Sequence, residues 1–238
     1  MEKLNNKNVL VAGATGGIGE ATAKLLAQSG ANLFIAGRKK AKLDVMAADL
    51  NIPANRIFEL DLTSPETVEA MSNRIHTMVP QIDILINATG IGIIKPLEQL
   101  SVEEFRLSLQ VNLEGSFLLV KSFLPAMKAT GKGLIINIPG VLGKVPMAGA
   151  AAYSASKYGL VGMMQSIREE LKRTEIRITN IFMGGVDSAF WDNINMRVQR
   201  EKMVRADEAA RAIWFLCQQP SSGVVSEMVL QPFNHQAI

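Results

Sequence analysis

Tyr153 and Lys157 stand four residues apart in the stretch AAYSASKYGL, at the head of an apolar-periodic segment. A helix there would bring both side chains onto one face. A phenol with an ordinary pKa of about 10 is a poor acid at neutral pH, and a nearby ammonium would favour the phenolate and pull that value towards the working range. The pair therefore points to proton transfer. Two residues at helical spacing also recur by chance, so the weight falls on the elements that would position them.

Asn8 to Ala12 reads as a short buried strand, and the turn GATGGIG from Gly13 to Gly19 feeds an amphipathic helix, Glu20 to Gln28. Strand, glycine turn and helix together make a phosphate cradle, in which Gly13, Thr15, Gly16, Gly17, Ile18 and Gly19 let a pyrophosphate approach backbone and helix N-terminus. The spacing G-x-x-x-G-x-G is a variant of the usual dinucleotide fingerprint. A second strand, Asn32 to Ala36, is followed by Gly37, Arg38 and Lys39. An acid at this place binds an adenosine ribose hydroxyl, whereas bases welcome a 2′-phosphate, so NADP is favoured over NAD.

A third strand, Arg56 to Leu60, ends in Asp61 and Leu62, with Asp61 placed to touch an adenine amino group; a helix follows from Thr63-Ser64-Pro65-Glu66 to about Val79. Ile82 to Ile86 is nearly all apolar, as a parallel strand covered on both faces should be. Asn87, Ala88, Thr89 and Gly90 then extend the nucleotide floor. A long helix is predicted from Ser101 to about Met127, with Asn112 set in apolar surroundings where it must bond something specific. Strands Leu134 to Ile138 and Ile176 to Ile181 flank the Tyr153 helix, and a loop of about twenty residues, 184–204, is a candidate substrate lid. A helix from Asp207 to about Gln218 and a short strand, Glu227 to Leu230, close the chain. The alternation implies an α/β fold, a single-domain doubly wound Rossmann fold over residues 1–238, with ligands at the carboxyl ends of the strands.

The composition is globular, 48% hydrophobic and 20% charged, and a net charge of +3 is only mildly basic. Scattered Lys and Arg with few aromatics argue against a nucleic-acid groove, strand-sized apolar runs argue against a membrane span, and the polar start MEKLNNKN does not read as a signal peptide. A lone cysteine, Cys217, fits a reducing cytoplasm, and with His76 and His235 far apart no metal-ligand spacing is present. The chemistry expected is metal-free. Twelve methionines, Met147, Met183, Met196 and Met203 among them, suggest an adaptable apolar pocket or simply core filling.

From about Lys7 to about Pro232 the chain resembles the short-chain dehydrogenase/reductase family: GATGGIG is similar to its TGxxxGIG turn, Asn87 to Gly90 to its NNAG element, Asn112 to its helix asparagine, and Tyr153 with Lys157 to its YxxxK pair. The resemblance implies a seven-stranded parallel sheet with helices on both faces, and homotetramers or homodimers built on the two long helices. It implies hydride transfer between a nicotinamide and a small carbonyl or alcohol substrate. In that reading Tyr153 is acid or base, Lys157 lowers its pKa and holds the nicotinamide ribose, Asn112 supports a relay water, and Val186 and Ser188 meet the carboxamide and phosphates. The tail SEMVLQP, Gly37 and Arg38 resemble the NADP-dependent branch that includes serine and 3-hydroxy acid dehydrogenases.

The sequence departs from that pattern in three places: Met183 replaces a proline, NATG replaces NNAG, and Gly140 stands thirteen residues before Tyr153, where the family's catalytic serine would be. Losing one donor to a developing oxyanion typically costs a factor of about a hundred to a thousand. Ser154 and Ser156 are turned about a hundred and about sixty degrees from Tyr153 on a helix and are poor substitutes. Three readings therefore stand: an NADP(H)-dependent oxidoreductase, a non-catalytic or repurposed nucleotide-binding member, and a dehydration or isomerisation catalyst on the same scaffold.

Overall fold

The computed structural model describes residues 2–220 and 222–234; His235 lies outside them. Seven parallel strands form the central sheet: β1 (Asn8–Ala12), β2 (Asn32–Gly37), β3 (Ile57–Glu59), β4 (Ile84–Asn87), β5 (Lys132–Asn137), β6 (Glu175–Met183) and β9 (Glu227–Leu230), in the order 3-2-1-4-5-6-9. The order reverses between β1 and β4. That reversal opens a crevice at the carboxyl ends of the strands, where a doubly wound sheet takes its ligand.

Alternate residues of each strand enter opposite layers. Val9, Val11, Ile35 and Ile86 pack under α1 (Gly17–Gln28), α2 (Lys40–Asp49) and α7 (Ala206–Cys217). Leu10, Phe34, Leu85 and Ile135 pack under α3 (Pro65–Met78), α5 (Gly115–Thr130) and α6 (Ala151–Glu170). Burial on both faces explains why these strands read as continuous apolar runs. Among the described residues no helix is long and apolar enough to cross a membrane.

Two expectations are corrected. The single helix expected from Ser101 to Met127 is α4 (Val102–Leu109), a π-helical turn (Gln110–Glu114) and α5, which stops at Thr130 because Gly131 takes a left-handed φ of 74°. Asn112 falls inside the π turn, a device found mostly at functional sites. The 184–204 stretch is also not structureless: β7 (Val186–Asp187) pairs with β8 (Val204–Arg205), and short 3-10 turns fill the space between. Pairing at its two ends gives a long loop a fixed base.

Candidate active site

The glycine turn hangs from β2, with Gly13 N and Ala14 N both donating to Ala36 O at 2.9 Å. A methyl group on Gly13 would lie 2.5 Å from Ala88 O, and one on Gly19 2.2 Å from Gly13 O. Only hydrogen fits at either place. The cradle and the Asn87–Gly90 segment thus form one surface. Gly16 precedes α1, and the first-turn amides of Gly17, Ile18 and Gly19 are the ones a helix leaves without internal acceptors.

At the end of β2, a Cβ on Gly37 would sit 2.8 Å from Thr15 Oγ1, so an acid cannot be accommodated there unless Thr15 moves. Arg38 and Lys39 are exposed just ahead of α2. Lys42 was not singled out from the sequence; its ammonium donates to Thr15 O at 2.9 Å and pairs with Glu20 at 2.7 Å, bracing the turn. Asp61 is exposed, and its carboxylate accepts from Thr63 N at 2.9 Å and Thr63 Oγ1 at 2.8 Å. Those bonds, backbone first, hold it below the usual carboxylate range. The Leu62 side chain is buried against Gly115.

Asn87 is almost fully buried and spends its amide inside the protein, donating to Ser116 Oγ at 2.8 Å and Asn137 Oδ1 at 3.3 Å and accepting from Thr89. Asn112 clamps Ile91 at both ends: its Oδ1 accepts from Ile91 N at 2.8 Å and its Nδ2 donates to Ile91 O at 3.0 Å. Ser156 Oγ, 3.0 Å from Asn112 Nδ2, is turned into this buried network. It is therefore unavailable to replace the missing serine.

Lys157 is 2% exposed, its ammonium donating to Ile138 O at 3.3 Å and lying 5.6 Å from the centre of the Tyr153 ring. Here the electrostatic expectation from sequence is reversed. Burial dominates both groups, pushing the Tyr153 phenol up and the Lys157 ammonium down to about 8. A phenol is protonated at neutral pH with or without this shift, and in the ligand-free protein the shift makes it a weaker acid.

The depressed lysine also makes a stability prediction. From an ordinary value of 10.5 the shift to about 8 opposes folding at every pH below about 8, by roughly 3 kcal/mol, and this penalty fades as pH rises from 8 towards 10.5. Lys157→Met is therefore expected to stabilise the ligand-free protein at pH 7 by about 1–3 kcal/mol and to lose that advantage near pH 10. Urea melts at the two pH values check it. A variant less stable than the parent at pH 7 would show that burial is not the dominant influence on Lys157.

Tyr153 opens on a cavity of about 550 Å³ that Ile18, Ile138, Gly140, Met183, Val186 and Ser188 also line. Gly140 has φ 71° and ψ 170°, a region that side chains rarely enter. A Cβ there would point to within 3.9 Å of Tyr153 Oη. Phe190 lies beside Tyr153 with ring centres 5.9 Å apart and planes tilted by 56°, and only the missing side chain of Gly92 leaves it room, since a Cβ would fall 2.3 Å from Phe190 Cζ. Ser188 sits directly on Gly17, and the Trp191 indole donates to Val186 O at 2.9 Å. The residues picked from sequence thus divide. Ile18, Tyr153, Val186 and Ser188 line the cavity. The glycine turn, Arg38, Lys39, Asp61 and the Asn87–Gly90 segment follow the carboxyl rim of β1 to β4.

Sequence reasoning passed over Ile94, Arg197, Lys202 and Asn234, which also line the cavity. Nothing in their spacing marks them. Arg197 and Lys202 are brought in by the folding of the 184–204 stretch, Asn234 by the tail and Ile94 by the loop after β4.

Residues 7–199 match the family model described as short chain dehydrogenase. An uncharacterized oxidoreductase of Staphylococcus epidermidis is 31% identical over 232 residues, covering 98% of this chain and 100% of that protein. The fold is similar to that of an alcohol dehydrogenase from the archaeon Thermococcus sibiricus complexed with 5-hydroxy-NADP, with TM-score 0.88, 28% identity and 98% and 100% of the two chains covered. It is also similar to serine dehydrogenase from Escherichia coli, with TM-score 0.85, 26% identity and coverage of 96% and 99%.

Proposed function

Because the chain belongs to the short-chain dehydrogenase family, we propose that it is an NADP(H)-dependent oxidoreductase that reduces a small carbonyl compound, with Tyr153 as the proton donor. The observation that carries this reading is the position of the Tyr153 side chain, on the wall of a cavity that Ile18 of the glycine turn and Ser188, packed on Gly17, also line. The residues present fit the cofactor: Gly13 and Gly19 let the turn pack tightly ahead of the first-turn amides of α1, and Gly37 with Arg38 and Lys39 leaves a basic place for a 2′-phosphate. Solved relatives that carry NADP or an analogue of it support the same choice. When bound, the nicotinamide supplies the hydride.

The chain's own part is proton delivery and positioning. Tyr153 Oη gives its proton to the carbonyl oxygen as negative charge develops there. Lys157 stands behind the ring and, when protonated, stabilises the phenolate that remains. Asn112 fixes Ile91 and so the turn over Lys157, while residues 184–204, with Phe190 beside Tyr153, act as a substrate lid that excludes water. Exposed apolar side chains on α4, α5 and α6, Phe105, Phe117 and Tyr158 among them, suit a homodimer or homotetramer.

The test is binding of NADPH and NADH, followed by turnover on a panel of ketones and aldehydes. NADPH is expected to bind at least about tenfold more tightly, and Arg38→Ser to remove most of that preference through loss of a charge-assisted contact. Equal affinity for the two would overturn the cofactor assignment. The glycine-only conformation of Gly140 favours a second reading, a nucleotide-binding protein without catalysis, which predicts tight NADPH binding and no turnover on any carbonyl.

A further inference from the structure

The cavity beside Tyr153 has apolar walls, including Ile94, Val145, Met147, Met196 and Met203, yet two of its lining residues are cations, Arg197 and Lys202, and none is an acid. The neighbouring lid charges are otherwise engaged. Asp187 and Asp192 are both held by Arg200, at 2.6 and 2.8 Å, and Glu201 is not among the lining residues. Arg197 and Lys202 have no anionic partner among the described residues. A pair of positive charges on the wall of an apolar cavity, without an anionic partner among the described residues, raises the local concentration of anions and fixes their orientation.

We propose that Arg197 and Lys202 select a substrate carrying a carboxylate on an apolar body, with the acid group at the lid and the carbonyl at Tyr153. This rests on the reading that the cavity beside Tyr153 holds the substrate. The missing hydroxyl at Gly140 gives the anchor a purpose. With one donor fewer on the reacting oxygen, binding energy from a remote part of the substrate takes over the task of holding the carbonyl against the phenol. A carboxylate matches better than a phosphate ester. A dianion is usually held by several converging backbone and side-chain donors, whereas the charged lining here is two exposed side chains.

The experiment titrates hexanoate, methyl hexanoate and hexyl phosphate into the protein in the presence of NADP+, reading the fluorescence of Trp191, which lines the cavity. Hexanoate is expected to bind about tenfold more tightly than its ester, the sum of two exposed charge pairs. In Arg197→Gln/Lys202→Gln that ratio should fall to about one, with the ester and NADP+ bound as before. Equal binding of acid and ester, no saturable response to the acid, or a ratio untouched by the double variant would overturn the proposal. Hexyl phosphate binding more tightly than hexanoate would overturn the carboxylate assignment. Weaker NADP+ binding by the variant would show instead that the two cations serve the cofactor. Reduction of a keto acid and its methyl ester is measured beside the titration. If the acid binds preferentially but neither compound is reduced, the oxidoreductase reading falls and the anchor stands.

Discussion

Replacing Tyr153 by Phe is expected to lower kcat/KM for carbonyl reduction by about a thousandfold while leaving NADPH affinity essentially unchanged. The substitution removes one oxygen and keeps the ring that packs against Phe190, so the pocket retains its shape. Proton transfer by a positioned side chain contributes about a hundred- to ten-thousandfold, and two features place this case in the upper part of that range. Gly140 brings no hydroxyl to share the developing charge, and Ser156 is bonded into the network of Asn112 and Ser108. Steady-state kinetics paired with cofactor dissociation constants give the split. A loss below about tenfold would mean that the proton comes from solvent or from another group.

Gly13→Ala should act on both stability and cofactor binding. Its φ of +86° is unfavourable for any side chain, and the added methyl would meet Ala88 O at 2.5 Å and Ala88 C at 2.6 Å, both backbone atoms that cannot rotate away. Backbone strain of about 1–3 kcal/mol and a similar overlap cost add to about 4 kcal/mol. For a chain of this size that lowers Tm by about 8–16 °C. Relief requires the glycine turn to separate from the Asn87–Gly90 segment, so NADPH should no longer raise Tm. Gly16→Ala is the control for stability in the absence of cofactor, because its methyl would come no nearer than 3.4 Å to Gly13 O. Thermal melts with and without NADPH check the pair. Similar melting of the two variants would contradict the tight contact with Ala88.

The alternation of elements and the strand-end motifs were legible because parallel strands must be apolar throughout and glycine turns mark close backbone approach. The details that decide chemistry were less so. From its spacing, Lys157 promised a lowered phenol pKa; burial instead raises the phenol and depresses the lysine, because desolvation depends on packing that spacing does not report. Asn112 was visible as an odd residue in an apolar helix, whereas the π turn around it carries no signal in the spacing of its residues. Gly140 was visible as a missing hydroxyl. Its φ and ψ were not, and they change what a substitution means: Gly140→Ser would aim a side chain at Tyr153 Oη while forcing strained backbone, so the lost serine is not restored by one replacement. Nothing in the spacing of Arg197 and Lys202 marks them, because only the folding of the 184–204 stretch brings them to the cavity.

The central claim is that Tyr153 completes a hydride transfer from NADPH to a carbonyl in the adjoining cavity. The direct measurement supplies NADPH deuterated at C4, on either face, with a panel of ketones and keto acids, and follows the products by mass spectrometry. Deuterium on the carbinol carbon from one face only, in the parent protein and nearly absent in Tyr153→Phe, is the predicted result. Tight NADPH binding with no deuterium in any product would contradict the claim and leave a nucleotide-binding protein on a dehydrogenase fold.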